Sequence, residues 1–148
     1  MNHRERVLCT LQHEQPDKMA IDFGAMRSTG INAIAYNRLR RHLNLALNNT
    51  RVYDLFQQLA EPELDILERF GADVVQLHRL CPSFGVAIDA WRADTLSDGS
   101  PCQVPVEFHP QTAADGSLEV WENGHLSARR PAGGYWYDSV FHALENAT

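Results

Sequence analysis

Two patterns of hydrophobic spacing divide this sequence, and the change between them limits the folds open to it. Up to Leu77, apolar residues recur at helical intervals or gather in short runs; beyond Pro101 they alternate singly between turn pairs. In the first part, Asn2 is a good N-cap with Glu5 three residues on, and Val7, Leu8 and Leu11 continue as a helix that Pro16 ends. Lys18–Phe23 then reads as a short strand stopping at Gly24. A second helix carries Ile31, Ile34, Ala35, Leu39 and Leu43 as its apolar stripe, with Arg38, Arg40 and Arg41 mostly outside it as a solvated face. Asn44–Asn49 reads as a loop, and Val52–Leu59 fits either an extended piece or a short helix. A third helix opens near Pro62, presents Leu64, Leu67 and Phe70 on one side and ends at Gly71, after which Ala72–Leu77 reads as a second strand ending at His78. Such alternation of helix and strand favours a parallel α/β arrangement with helical crossovers.

The second part follows other rules. Val104, Val106 and Phe108 alternate within Cys102–His109, where Pro101, Pro105 and Pro110 confine the segment to a sheet edge. Asp115-Gly116 and Asn123-Gly124 are hairpin-turn pairs on either side of Leu118–Glu122, which predicts an antiparallel meander of two or three strands. Gly133-Gly134-Tyr135-Trp136-Tyr137 leads into a closing segment, Ser139–Asn146. Trp121, Tyr135, Trp136 and Tyr137 read as core of the meander in preference to a stacking surface.

Charge narrows the function. The 148 residues carry 13 Lys+Arg against 19 Asp+Glu, a net charge of -6, which argues against duplex nucleic acid or an anionic membrane as partner. No apolar run approaches the length of a membrane span, and no secretory leader is evident. The three cysteines, Cys9, Cys81 and Cys102, show no framework spacing and suit reduced thiols in a cytoplasm. The only lysine, Lys18, opens the first expected strand, which gives little support to Schiff-base chemistry. His78 and Cys81 have an HxxC spacing, but no second ligand pair accompanies them, so no metal site is expected. Glycine-rich nucleotide loops, the GxSxG elbow and HExxH are all missing from the sequence. Within the acidic whole, residues 23–53 hold no Asp or Glu but carry Arg27, Arg38, Arg40, Arg41 and Arg51, and residues 74–88 lack acids and carry His78 and Arg79. In a parallel α/β fold both strand ends reach the carboxyl rim of the sheet, so Arg27, His78 and Arg79 would converge there on a small anionic ligand.

Several stretches resemble the uroporphyrinogen decarboxylase superfamily, which also holds corrinoid-dependent methyltransferases. They are Arg4–Asp17, Ile21–Gly24, Met26–Gly30, Arg51–Ala60 and the closing Gly133–Asp138, and the likeness runs from about residue 3 onward. The resemblance implies a TIM barrel of the (β/α)8 type, which takes about 250 residues. For this chain it therefore implies a partial barrel: the amino-terminal helix and first two βα units over residues 1–100, then an antiparallel β-meander and closing segment over 101–148, one incomplete domain overall. The alternative is a compact α+β domain of its own.

The family's Met-Arg-x-x-Gly-Arg loop matches Met26, Arg27 and Gly30, with Ile31 at the second arginine. The resemblance thus implies that Arg27 anchors a substrate carboxylate and that Gly24, Met26 and Gly30 complete the substrate-binding loop. It puts His78 and Arg79 at the catalytic position after the second strand, with Arg79 at or near the place of an aspartate that accepts pyrrole N–H bonds. The activity implied is decarboxylation of a tetrapyrrole carboxylate in porphyrin synthesis, in a segment inactive alone. The methyltransferase branch would instead imply zinc and a corrinoid partner, with metal ligands outside this segment and no cofactor held by it. A third reading is a non-catalytic module or half of a split enzyme, partnered by a carboxyl-terminal half or by a second copy.

Overall fold

A computed structural model describes residues 1–47 and 50–140. Contacts divide the chain into two compact units, Met1–Ile31 with Glu61–His78, and Asn32–Ala60 with Arg79–Thr148.

In the first unit, α1 (His3–Leu11) begins as the sequence predicts: Glu5 N donates to Asn2 Oδ1 at 2.8 Å and Asn2 N to Glu5 Oε2 at 2.9 Å, a complete capping box. Its buried residues, however, are Arg6 and Cys9, while Leu8 and Leu11 face solvent. A single 3-10 turn follows at Arg27–Thr29. Helix α3 (Leu64–Phe70) buries Ile66 completely and ends at Gly71, whose φ of 65° is the left-handed cap that a glycine takes without strain. Phe23 and Phe70 stack with ring centroids 5.2 Å apart.

The second unit holds α2 (Ala33–His42) and most of the strands. Its buried face is Ala33, Ile34, Tyr36, Asn37 and Arg40, so the stripe is rotated from the one expected and Ala35 is exposed. Two polar residues enter because both are satisfied there. Asn37 accepts from Thr50 Oγ1 at 2.6 Å and donates to Ser100 Oγ at 3.0 Å and Pro101 O at 2.9 Å. Arg40 donates to Ala46 O and to the Tyr36 hydroxyl, which corrects the expectation of a solvated face.

The strands are β1 (Ile31–Asn32), β2 (Val52–Asp54), β3 (Leu59–Ala60), β4 (Trp91–Thr95), β5 (Pro101–Pro105), β6 (Gln111–Thr112), β7 (Leu118–Glu122), β8 (His125–Arg130) and β9 (Asp138–Ser139). They form three sheets ordered β1-β3-β2, β4-β5 and β6-β7-β8-β9. The β2–β3, β4–β5, β6–β7, β7–β8 and β8–β9 pairs are all antiparallel. The meander has four strands where two or three are expected; β7 spans the expected residues and turns into β8 through Asn123 (φ 51°) and Gly124 (φ 79°). The expected closing segment lies outside the described residues beyond Val140.

This architecture is not a partial TIM barrel. Among the described residues there are three short α-helices and three small antiparallel sheets, without alternating βα units around a parallel sheet. The physical reason lies in the two runs expected as parallel strands. Residues 18–23 and 72–77 carry no strand. One backbone bond joins them, Asp73 N to Ile21 O at 2.8 Å, and the Ile21 amide donates to the Asp73 carboxylate at 2.9 Å where a ladder carbonyl would stand. Hairpin turns pair neighbouring strands locally, whereas a parallel ladder needs a long closure.

Candidate functional site

The residues singled out as substrate-binding share one loop of the first unit, and local bonds fix its course. Asp22 Oδ1 accepts from the Ala25 amide at 2.8 Å and from the Thr29 hydroxyl at 3.0 Å, closing the loop on itself. Gly24 sits at φ +83°, buried, and a Cβ there would lie 2.6 Å from Pro62 Cγ, so a side chain is excluded both by backbone conformation and by contact. Gly30 is extended at φ −71° and needs no glycine for its conformation. Met26 and Arg27 stand exposed on the loop, Arg27 opening the 3-10 turn, with the Gly30 amide donating to its carbonyl at 3.1 Å.

His78 follows the Ala72–Leu77 run, in the same unit. Its Nε2 lies 3.0 Å from Glu61 Oε1, and both side chains are partly shielded. Arg79 is exposed and begins the second unit's later stretch. A hollow of about 400 Å³ opens in the first unit beside Thr10, Gln15, Lys18 and Met19; none of the expected site residues lines it.

The most strongly perturbed charges lie elsewhere in that unit, in a cluster the sequence reading did not single out. The Arg6 guanidinium grips Asp17 with two bonds, at 2.8 and 3.1 Å, and bonds Asp73 and the Met1 carbonyl besides. His3 Nδ1 lies 2.8 Å from the Asp73 carboxylate, whose side chain is wholly buried. Hydrogen bonds from Arg6 and the terminal amine hold the Asp17 carboxyl well below the carboxylate range, and the bond to Asp17 raises Arg6 in turn. Burial acts to raise Asp73, but bonds from Ile21, His3 and Arg6 prevail and hold it down at about 2. The cluster ties α1 to Asp17, just before the Lys18–Phe23 run, and to Asp73 in the Ala72–Leu77 run. Its sequence signal was the lone acid inside the apolar Ala72–Leu77 run, since a buried charge requires a partner.

The aromatic residues divide. Tyr137 is core, packed edge-on to Phe84 and Phe108, whereas Trp121, Tyr135 and Trp136 are each about half exposed. Among the described residues no group of three or more His, Cys, Asp or Glu is placed to hold a metal ion, and no helix is long and apolar enough to cross a membrane.

Comparison with known proteins finds no match to a family model, a curated protein or a solved structure.

Proposed function

We propose that this chain is the amino-terminal part of an enzyme of the uroporphyrinogen decarboxylase superfamily, in which the Asp22–Gly30 loop holds a carboxylate of an anionic, tetrapyrrole-like substrate. The observation that carries the reading is the setting of Arg27. It is an exposed guanidinium on a loop braced by Asp22 and by the Gly24–Pro62 contact, at the start of residues 23–53, which hold no acid. A braced loop loses little freedom when it binds, and a guanidinium matches a carboxylate with two parallel donors.

The same residues argue that anchoring, not turnover, is what this segment contributes. Ile31 stands at the second arginine of the motif and offers no donor. Arg79, at or near the place of the family's aspartate, cannot accept pyrrole N–H bonds or stabilise a protonated pyrrole. That exchange favours the methyltransferase branch as the second reading. The zinc that branch uses finds no cluster of three ligands among the described residues, and the His78 imidazole is engaged by Glu61, so no step through a metal is assigned to this chain.

The test is binding of a porphyrin polycarboxylate to the purified chain by calorimetry. Removing one charged hydrogen-bonding partner costs about 1.5–3 kcal/mol, so Arg27→Ala is expected to weaken binding by about ten- to a hundredfold. The wild-type chain is expected to form no coproporphyrinogen from uroporphyrinogen. Unchanged affinity in Arg27→Ala removes the arginine from the site, and measurable turnover overturns the anchoring-only reading.

A further inference from the structure

We propose that Asn123 is a site of spontaneous covalent modification at the tip of the β7–β8 hairpin. Its side-chain amide closes on the backbone nitrogen of Gly124, and water opens the ring to an aspartyl or isoaspartyl residue. The pair makes the two-residue turn between Glu122 and His125, and both residues are exposed. Ring closure needs two groups at liberty, the side-chain carbonyl carbon and the amide nitrogen that follows it. Among the described residues neither the Asn123 side chain nor the Gly124 amide makes a hydrogen bond. Gly124 has no side chain to shield its nitrogen, and a Cβ built there would meet nothing within 4 Å. The turn can therefore swing toward the ring without losing a side-chain bond or meeting a neighbour.

The competing positions among the described residues are held. Asp98-Gly99 and Asp115-Gly116 also place an acid before a glycine in a turn, but Gly99 N donates to Leu96 O and Gly116 N to Ala113 O, both at 2.9 Å. Their carboxyls are ionised at neutral pH, which makes them poor electrophiles, and they accept from Ser100 and Ser117. Asn44 is exposed, yet the Leu45 amide after it donates to Arg40 O at 2.9 Å, and the Ala33 amide after Asn32 donates to Gln58 O at 2.8 Å. Asn2 caps α1, and Asn37 is buried. The step balances without an oxidant or a cofactor. Gly124 N attacks Asn123 Cγ, the new N–Cγ bond replaces the Cγ–Nδ2 bond, and Nδ2 leaves as ammonia with the proton that Gly124 N gives up. Water then cleaves the imide. Attack at Cγ yields aspartate with the chain as before, which sets a second carboxylate beside Glu122. Attack at the Asn123 carbonyl carbon routes the backbone through Cβ and Cγ and lengthens the turn. That product no longer fits the two-residue turn that sets Trp121 opposite Leu126 and Glu122 opposite His125. No ligand takes part, so failure here leaves the Arg27 reading intact and the reverse also holds.

The experiment is incubation of the folded full chain at neutral and mildly alkaline pH, with peptide mapping that separates aspartyl from isoaspartyl products and with released ammonia measured against them. Asn123 is expected to convert before Asn2, Asn32, Asn37 and Asn44, releasing one ammonia for each residue converted. Its rate should rise about tenfold per pH unit, as the deprotonated fraction of the Gly124 nitrogen does. Gly124→Ala, which shields that nitrogen, is expected to slow conversion by about tenfold or more. Asn123→Asp carries the charge of the first product without the longer backbone, and is expected to keep the amide protection of His125 and Leu126. The isoaspartyl fraction of the aged chain is expected to lose that protection. Conversion of Asn44 as fast as Asn123, conversion of Asn123 in denaturant only, or a rate unmoved by Gly124→Ala overturns the proposal. Full protection in the isoaspartyl fraction overturns its effect on the hairpin.

Discussion

Gly24→Ala tests the bracing of the candidate loop. The residue sits at φ +83°, where an L side chain costs about 1–2 kcal/mol. The added methyl would lie 2.6 Å from Pro62 Cγ and 3.2 Å from Cδ, and both are ring atoms with little freedom to move. Relieving the closer contact requires a shift of about 1 Å in the loop or in the start of α3, an overpacking cost of about 1–3 kcal/mol. The sum is a loss of about 2–5 kcal/mol, a large fraction of the stability of an ordinary domain. Gly85→Ala separates the two parts, because Gly85 has φ +65° but nothing within 4 Å of its added methyl, and so bears the backbone cost alone. The assay must read the first unit directly. Every tryptophan and tyrosine lies in the second unit, so fluorescence does not report on this site. Urea unfolding followed by amide exchange in α1 and α3 does. Pro62→Ala in the Gly24→Ala background should restore part of the loss. If Gly24→Ala is no worse than Gly85→Ala, the Gly24–Pro62 contact does not brace the loop, and the case for a preorganised Arg27 weakens with it.

Two further outcomes follow from the buried charges and thiols. The folded-state pKa of Asp73, about 2, lies below the ordinary 3.8, so its contribution to stability is present above that ordinary value and is lost as the pH falls through about 2. Asp73→Asn should destabilise the first unit by about 3 kcal/mol at neutral pH and flatten the acid limb of the stability curve; an acid limb like that of the wild type would refute the assignment. Among the thiols, Cys81 is exposed while Cys9 and Cys102 are buried, and burial, with Asp94 adding to it, pushes Cys102 up to about 12. A thiol reagent at neutral pH should therefore modify one cysteine quickly in the native chain and all three in denaturant, and mass mapping to any residue other than Cys81 would contradict the packing.

Much of the fold was legible where the signal is local. The Asn2 capping box, the Gly71 helix end, the Asn123-Gly124 turn and the span of β7 follow from side-chain oxygens, backbone freedom and alternation within a few residues of one another. Legibility failed where the outcome depended on residues far apart. The Ala72–Leu77 run has the composition of a strand, yet its ladder is interrupted by a carboxylate engaged with Arg6, 67 positions away. The rotated face of α2 could not be read either, because Asn37 and Arg40 are polar by composition and become core only through Thr50, Ser100 and the Ala46 carbonyl. Of the candidate site, the sequence marked Gly24 and Arg27 as loop residues after an apolar run. The Glu61 partner of His78, and the Pro62 contact that makes Gly24 necessary, belong to the packing.

Alone, the sequence determined where helices begin, where hairpins turn and which stretch is free of acids, since each of these is settled by near neighbours along the chain. Tertiary structure alone decided which backbone groups found partners and which charges went inside. A hydrogen bond or an ion pair between distant residues forms only when the rest of the chain has brought them together, and here that favoured antiparallel neighbours over a parallel sheet.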